Sequence, residues 1–411
     1  MLIINRKVFL FELFAVIMFL CQYRIAKKQG YILFFLEISI GFICWLWSTK
    51  KKVLISKYLF VYMALIIYKI ILTLLVSGGS IENAKNILYK ELGMLFLCFF
   101  LVGECSDVTI IKRLREFGLL TSILGGYEFV THSNIFRRYI TVESRIYMQT
   151  LGTSKTRVQT VFMHPTICGV FMMISWLCIL YMPYKKSWVN YLAKFSIIFC
   201  LLGTQSRSIW ITFVVINILY IWRKFKRNSI RINRRGFFSI CILGTIGLIV
   251  AIYFQDSISS VVQVVLNRWR DGMDSKNSAN YNRVTMIKMG IKEWMNVGLG
   301  RKIFGSGNGY AYDFLLTHPI RGWNGAVDNQ YLTVLMDFGL VGIVFLFSLI
   351  YYAFKKTISS ENEINQLCAL CLLAMFISGF FYEMFSWIFV TLLFCLFFCI
   401  LEKNTGQKIF S

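Results

Sequence analysis

Apolar runs of roughly bilayer-crossing length recur along this 411-residue chain, and they leave it few ways to fold. A crossing helix needs ~20 predominantly apolar residues. Runs that meet or approach this fall at residues 8–22, 31–47, 54–76, 87–103, 114–131, 163–182, 188–205, 208–222, 236–254, 330–353, 367–382 and 384–401. Composition agrees: 57% of residues are hydrophobic and 16% are charged, too little polar surface for a soluble domain of this size. The sequence predicts an all-α, polytopic integral membrane protein of about twelve transmembrane helices (ten to twelve, because several runs are short). It reads as a single transmembrane domain over residues 1–411, with no internal repeat and no cleavable signal peptide. Ten tryptophans and twenty-one tyrosines suit interfacial aromatic belts.

The formal net charge is +24, which in a soluble chain would suggest nucleic acid. Here the basic residues sit mainly between apolar runs, so no nucleic-acid partner is expected, and the excess reads as positive-inside retention. The loop Arg223-Lys224-Phe225-Lys226-Arg227, continuing through Arg231 to Arg234-Arg235, lacks any acid and should be cytoplasmic. With alternating spans, Lys50 to Lys52, Lys112 to Arg115, Lys185-Lys186 and Lys355-Lys356 share that side, and both termini are cytoplasmic. Arg24, Lys27 and Lys28 go against the scheme. Most of the twelve cysteines lie in apolar runs, and the Cys368-x-x-Cys371 pair inside a span reads as buried thiols rather than a metal site.

The scheme leaves two long loops outside, residues 132–161 and 255–330, plus the tight turn Thr204-Gln205-Ser206-Arg207-Ser208. The first carries Arg137, Arg138, Arg145, Lys155 and Arg157 against one acid, Glu143, and leads into Thr160-Val161-Phe162-Met163-His164-Pro165. Guanidinium groups match phosphate oxygens bidentately, so basic residues kept outside point to an anionic ligand. Arg207, in a turn between two apolar runs, is at a depth where charge is costly. In the second loop Arg283 opens an amphipathic stretch from Val284 to Met295, followed by Arg301, by Gly305-Ser306-Gly307-Asn308-Gly309 and by Arg321. Those glycines allow close backbone approach but lack the Gly-Lys-Ser/Thr ending of a nucleotide loop. His318 and Asp328 are the proton-transfer candidates on this face. Each also has a plainer role open to it, His318 shaping the turn before Pro319 and Asp328 capping the next helix. Glu12, Glu37, Lys69 and Glu383 read as structural pairs or snorkelling groups.

Between Arg157 and Leu346 the chain resembles the Wzy-type polysaccharide polymerases and their relatives, the O-antigen ligases. The likeness rests on Arg157-x4-Phe162-x2-Pro165, Ser206-Arg207, and Arg283 with Gly298-x-Gly300. It ends in Asp328-Asn329-x-Tyr331-Leu332 and Gly339-Leu340-Val341-Gly342. Many relatives have histidine where this chain has Asp328. The arginine-plus-ten-plus-glycine spacing of some polymerases is not met, since Trp294 stands eleven after Arg283.

The resemblance implies glycosyl transfer on the outer face of the bacterial cytoplasmic membrane. The donor would be an undecaprenyl-diphosphate-linked oligosaccharide, in contact with membrane lipid and with a chain-length regulator as a further partner. Diphosphate leaves readily, so the need is for stabilisation of its charge and for a base on the attacking hydroxyl. Arg157, Arg207 and Arg283 are the expected diphosphate ligands, and Asp328 or His318 the expected base. Arg137, Arg138, Arg145, Arg301, Arg321, Asn329 and Tyr331 would support them, with no metal or other cofactor. A ligase acting on another acceptor, and a transporter or flippase of lipid-linked sugars, are the competing readings.

Overall fold

The computed structural model describes residues 57–76, 80–136, 156–226, 278–320 and 327–405, with Ser39. The apolar runs at 8–22, 31–47 and 236–254, the loop at 227–235, and Arg137, Arg138, Arg145 and Arg321 lie outside the described residues. Among those described, the regular elements are helices: α1 Lys57–Leu75, α2 Ile81–Ile87, a π-helical turn Leu88–Gly93, α3 Met94–Glu104, α4 Asp107–Thr131, α5 Pro165–Tyr181, α6 Ser187–Gly203, α7 Arg207–Lys226, α8 Ser278–Asn296, α9 Leu299–Phe304, α10 Tyr310–Thr317, α11 Gln330–Ser359, α12 Glu363–Gly379 and α13 Ile388–Thr405. Every expected span that falls on described residues is helical. Four stretches are long and apolar enough to cross a membrane: Tyr58–Leu75, Ile81–Glu104, Arg207–Lys226 and Gln330–Ser359; α5, α6 and α12 are shorter apolar helices.

Local chemistry sets the helix ends. Ser106 caps α4 by accepting the Thr109 N–H, with Asp107 in the first turn where the helix dipole favours an acid. Asn362 caps α12 in the same way, through the Ile364 N–H. Pro165 occupies the first turn of α5, where its missing N–H costs nothing. Helix α5 is apolar all round and buried along nearly its whole length, the signature of a central helix. Phe162, Phe171 and Phe389 pack there with ring centroids 4.8–5.4 Å apart. By contrast Phe60 and Ile67 on α1, and Val214 and Ile218 on α7, are exposed, as suits helices facing lipid.

The two ends of the bundle differ. At one end, basic residues tie helix termini together: Arg115 donates to the Met182 carbonyl and stacks over Tyr184, Arg223 donates to the Ser360 carbonyl, Lys224 pairs with Glu363, and Lys403 pairs with Asp107. The opposite end holds the segment 156–164, the turn at 204–206, helices α8 to α10, and the α12–α13 turn.

Helix α11 is broken at Gly339, whose φ of 62° suits glycine. The break frees two carbonyls, which the glycine-rich loop takes up. Ser306 N–H donates to Met336 at 3.2 Å, and Gly307 N–H to the Asp337 carbonyl at 2.8 Å. The backbones touch at Gly305 and Gly339, so that a Cβ at Gly339 would strike the Ile303 carbonyl and the Gly305 nitrogen. The buried Asp337 carboxylate finishes the join by accepting Gly309 N–H at 2.9 Å and Ala311 N–H at 2.8 Å, satisfying the start of α10.

Candidate functional site

The segment 156–164 is neither helix nor strand, yet it is held from both sides. On one side the carboxylate of Glu128 on α4, 2% exposed, accepts Thr160 N–H at 2.8 Å and Gln159 N–H at 3.3 Å. The Asn134 amide donates to the same carboxylate at 3.0 Å and to the Thr160 carbonyl at 3.1 Å. On the other side Val158 N–H donates to the Gly203 carbonyl at 2.8 Å, Gln205 Nε2 to the Thr156 carbonyl, and Arg157 Nε to the Thr204 carbonyl at 3.0 Å. Thr160 and Met163 are forced to positive φ, 49° and 58°. Non-glycine residues adopt this only where surroundings over-determine them, and such positions cluster at functional sites. The outcome is a fixed Arg157 at one end of the segment and a fixed His164 at the other.

His164 caps α5, its Nδ1 accepting the Thr166 N–H at 3.2 Å. The ring hydrogen therefore sits on Nε2. Its ring stacks on Tyr382 at 4.5 Å and meets Trp387 at 5.4 Å. Burial, with Arg157 and Arg283 in electrostatic reach, lowers its pKa to about 3, so the imidazole stays neutral. Arg283 Nε donates to Asp328 Oδ2 at 3.1 Å. Burial holds the Asp328 pKa above its ordinary value, against a smaller downward pull from Arg283. Tyr382 lies within electrostatic reach of Asp328, Glu383 and Arg157. Arg157, His164, Arg283, Asp328, Tyr382 and Glu383 thus form one cluster, drawn from the 156–164 segment, α8, the start of α11 and the α12–α13 turn.

Arg207 is half-buried and begins α7, three residues after the carbonyl that Arg157 holds. The same turn is tied to α5 by Ser206 Oγ and Thr166 Oγ1, 3.4 Å apart. The expectation that Arg283 opens its helix is corrected: α8 is already helical at Ser278, so Arg283 lies inside it, where its side chain reaches Asp328. The cap of α11 is Asn329, which accepts Leu332 N–H at 2.9 Å and donates to the Phe380 carbonyl at 3.0 Å. Asp328 is therefore not the cap. Tyr331 hydrogen-bonds the Phe376 carbonyl and stacks on Phe380 at 3.9 Å, joining α11 to α12.

His318 ends α10. Its ring stacks on Phe314 and its Nδ1 lies 3.0 Å from both the Phe314 carbonyl and Thr317 Oγ1, all within its own helix. Arg301 is exposed on α9. Sequence reasoning passed over His164 because a residue before Pro165 reads as a helix start. It read Glu383 as a structural or snorkelling group, and it passed over Glu128, which looks like a stray beside an apolar run.

The family model described as O-antigen ligase matches residues 192–347. That stretch runs from α6 through Arg207, Arg283, Asp328 and the Gly305–Gly339 join into α11, while Arg157 and His164 precede it. No curated protein matches the chain. The helical architecture of the described residues, the matched stretch and the site elements within it together make the chain similar to the O-antigen ligase-like superfamily.

Proposed function

We propose that this protein polymerises undecaprenyl-diphosphate-linked oligosaccharide repeat units into a surface polysaccharide, on the outer face of the bacterial cytoplasmic membrane. The observation that carries the proposal is the gathering of Arg157, Arg283 and Asp328 around neutral His164 at the end of the bundle away from the basic helix termini. With about twelve crossings and both termini cytoplasmic, the positive-inside tendency puts the basic helix ends inside and this cluster outside. Arginines kept on that face despite the bias have an anionic ligand as their reason to be there.

The chemistry follows from charge. A hydroxyl of one lipid-linked unit attacks the anomeric carbon of the reducing-end sugar of another. The bond to the diphosphate breaks, and the diphosphate leaves with the electron pair. Arg157, Arg207 and Arg283 stabilise that growing charge without a metal, and in a site shielded from water such fixed charges are worth far more than in solution. The Nε2–H of His164 adds a neutral donor beside them. A carboxylate of the cluster takes the hydroxyl proton; Asp328 belongs to the cluster, while His318 stacks within its own helix.

The matched family's description favours a second reading, transfer of the glycan to another acceptor. Reconstituted with lipid-linked oligosaccharide as the sole sugar source, a polymerase yields a ladder of longer lipid-linked chains. A ligase yields none until a different acceptor is added. Absence of transfer under both conditions removes both readings and leaves a carrier of lipid-linked sugars.

A further inference from the structure

Glu383 is the second carboxylate of the cluster, and its position sets it apart from Asp328. It sits in the turn between α12 and α13, directly after Tyr382, whose ring stacks on His164. That turn is anchored: Phe385 N–H donates to Gln330 Oε1 at 2.8 Å, Ser386 Oγ to the Glu383 carbonyl at 2.8 Å, and Lys90 Nζ to the Ser386 carbonyl at 3.4 Å. The side chain is half-buried, reachable by solvent but not bathed in it. The Thr333 hydroxyl of α11 hydrogen-bonds to it, and the charges facing it are Asp337 of α11, Lys90 of the π-helical turn and Asp328.

We infer that Glu383 is the group that removes the proton from the attacking sugar hydroxyl, and that Asp328 serves instead to hold Arg283 against the diphosphate. The inference rests on the glycosyl-transfer reading and assigns a role within it. Two carboxylates in one cluster with different partners divide acid–base work between them. Asp328 is committed to a guanidinium at 3.1 Å, which makes it a weaker base and a better tether. Among the described residues no arginine pairs with Glu383, and the cation facing it is Lys90. Burial, with the Asp337 and Asp328 charges, raises its pKa to about 8, near the pH at which a general base works best. In the step itself the hydroxyl oxygen bonds to the anomeric carbon, its proton passes to a Glu383 carboxylate oxygen, and the sugar–diphosphate bond breaks with its electron pair on the diphosphate.

The test uses full-length protein in proteoliposomes with lipid-linked oligosaccharide, assayed from pH 6 to 9.5, with undecaprenyl diphosphate as competing ligand. The wild-type turnover is expected to rise with pH, with a midpoint near 8. Glu383→Gln should lower turnover about 10²–10⁴-fold, abolish that rise, and leave inhibition by undecaprenyl diphosphate unchanged. Glu383→Asp, which keeps a carboxylate and guards against a folding artefact, should recover part of the rate. Asp328→Asn should keep the pH midpoint while weakening donor KM and undecaprenyl diphosphate binding. Wild-type turnover and pH profile in Glu383→Gln overturn the inference, as does loss of the midpoint in Asp328→Asn instead. Arg157→Ala, Arg207→Ala and Arg283→Ala proteins that all transfer at the wild-type rate would sink the underlying reading itself.

Discussion

Asp328 and Asn329 are neighbours with unlike tasks, and the difference is one of geometry rather than side-chain type. Both residues can cap a helix, but only Asn329 points its oxygen at the N–H of Leu332. Asp328 turns toward Arg283. Replacing Asn329 with alanine is therefore expected to cost about 1 kcal/mol of stability through the lost cap, read as a lower melting temperature in detergent. His164 makes a second prediction at this scale. Its pKa is lowered from 6.5 to about 3, so below pH 6.5 the unfolded chain takes up a proton that the native one refuses. Stability should fall as pH drops from 6.5 towards 3. His164→Asn, which still caps α5 but does not titrate there, should flatten that fall in a pH series of melting curves. Glu383 carries the opposite sign. Its raised pKa means the stability it contributes is present at acid pH and lost as pH rises through about 8.

At the level of elements, the join between the glycine loop and the break in α11 is the most demanding feature. An alanine at Gly339 would meet backbone atoms of Ile303 and Gly305 while being held at positive φ. Gly339→Ala should cost about 2–4 kcal/mol, visible as reduced yield of monodisperse protein and a lower melting temperature. Much of the element plan was legible beforehand. Spans such as 163–182 and 188–205 announce themselves by length and apolarity, and their structural counterparts are α5 and α6. Gly305 was legible as a place of close approach and Gly339 only as part of the family pattern, and neither as the partner of the other. Nothing in either stretch records which distant backbone fills the space. The same limit hid the Arg283–Asp328 pair, set by how α8 lies against the start of α11. It also hid Glu128, which looks like a stray acid near the end of a span and in fact holds the segment that carries Arg157 and His164.

For the whole molecule, charge is sorted by end. Arg115, Arg223, Lys224 and Lys403 gather where α4, α7, α12 and α13 meet, and Arg157, Arg283 and the carboxylates gather opposite. The account sets the first group inside and the second outside, which cysteine labelling in intact cells can read. Thr317→Cys on α10 should react with a membrane-impermeant maleimide, and Ser359→Cys at the other end of α11 only after permeabilisation. Both positions are exposed, so neither result is a matter of burial. Reversed labelling would turn the molecule over and remove the extracytoplasmic reading of the site.

The central claim is that arginines at this outer end carry glycosyl transfer from a diphosphate-linked donor. It is tested most directly in cells lacking their own copy of the protein, complemented with Arg207→Ala or Arg283→Ala and scored for surface polysaccharide length. Loss of a fixed charge that stabilises a leaving group costs about 10²–10³ in rate. Both variants, present in the membrane at wild-type level, should leave single repeat units with little or no long polymer. Full-length polymer from both would contradict the account.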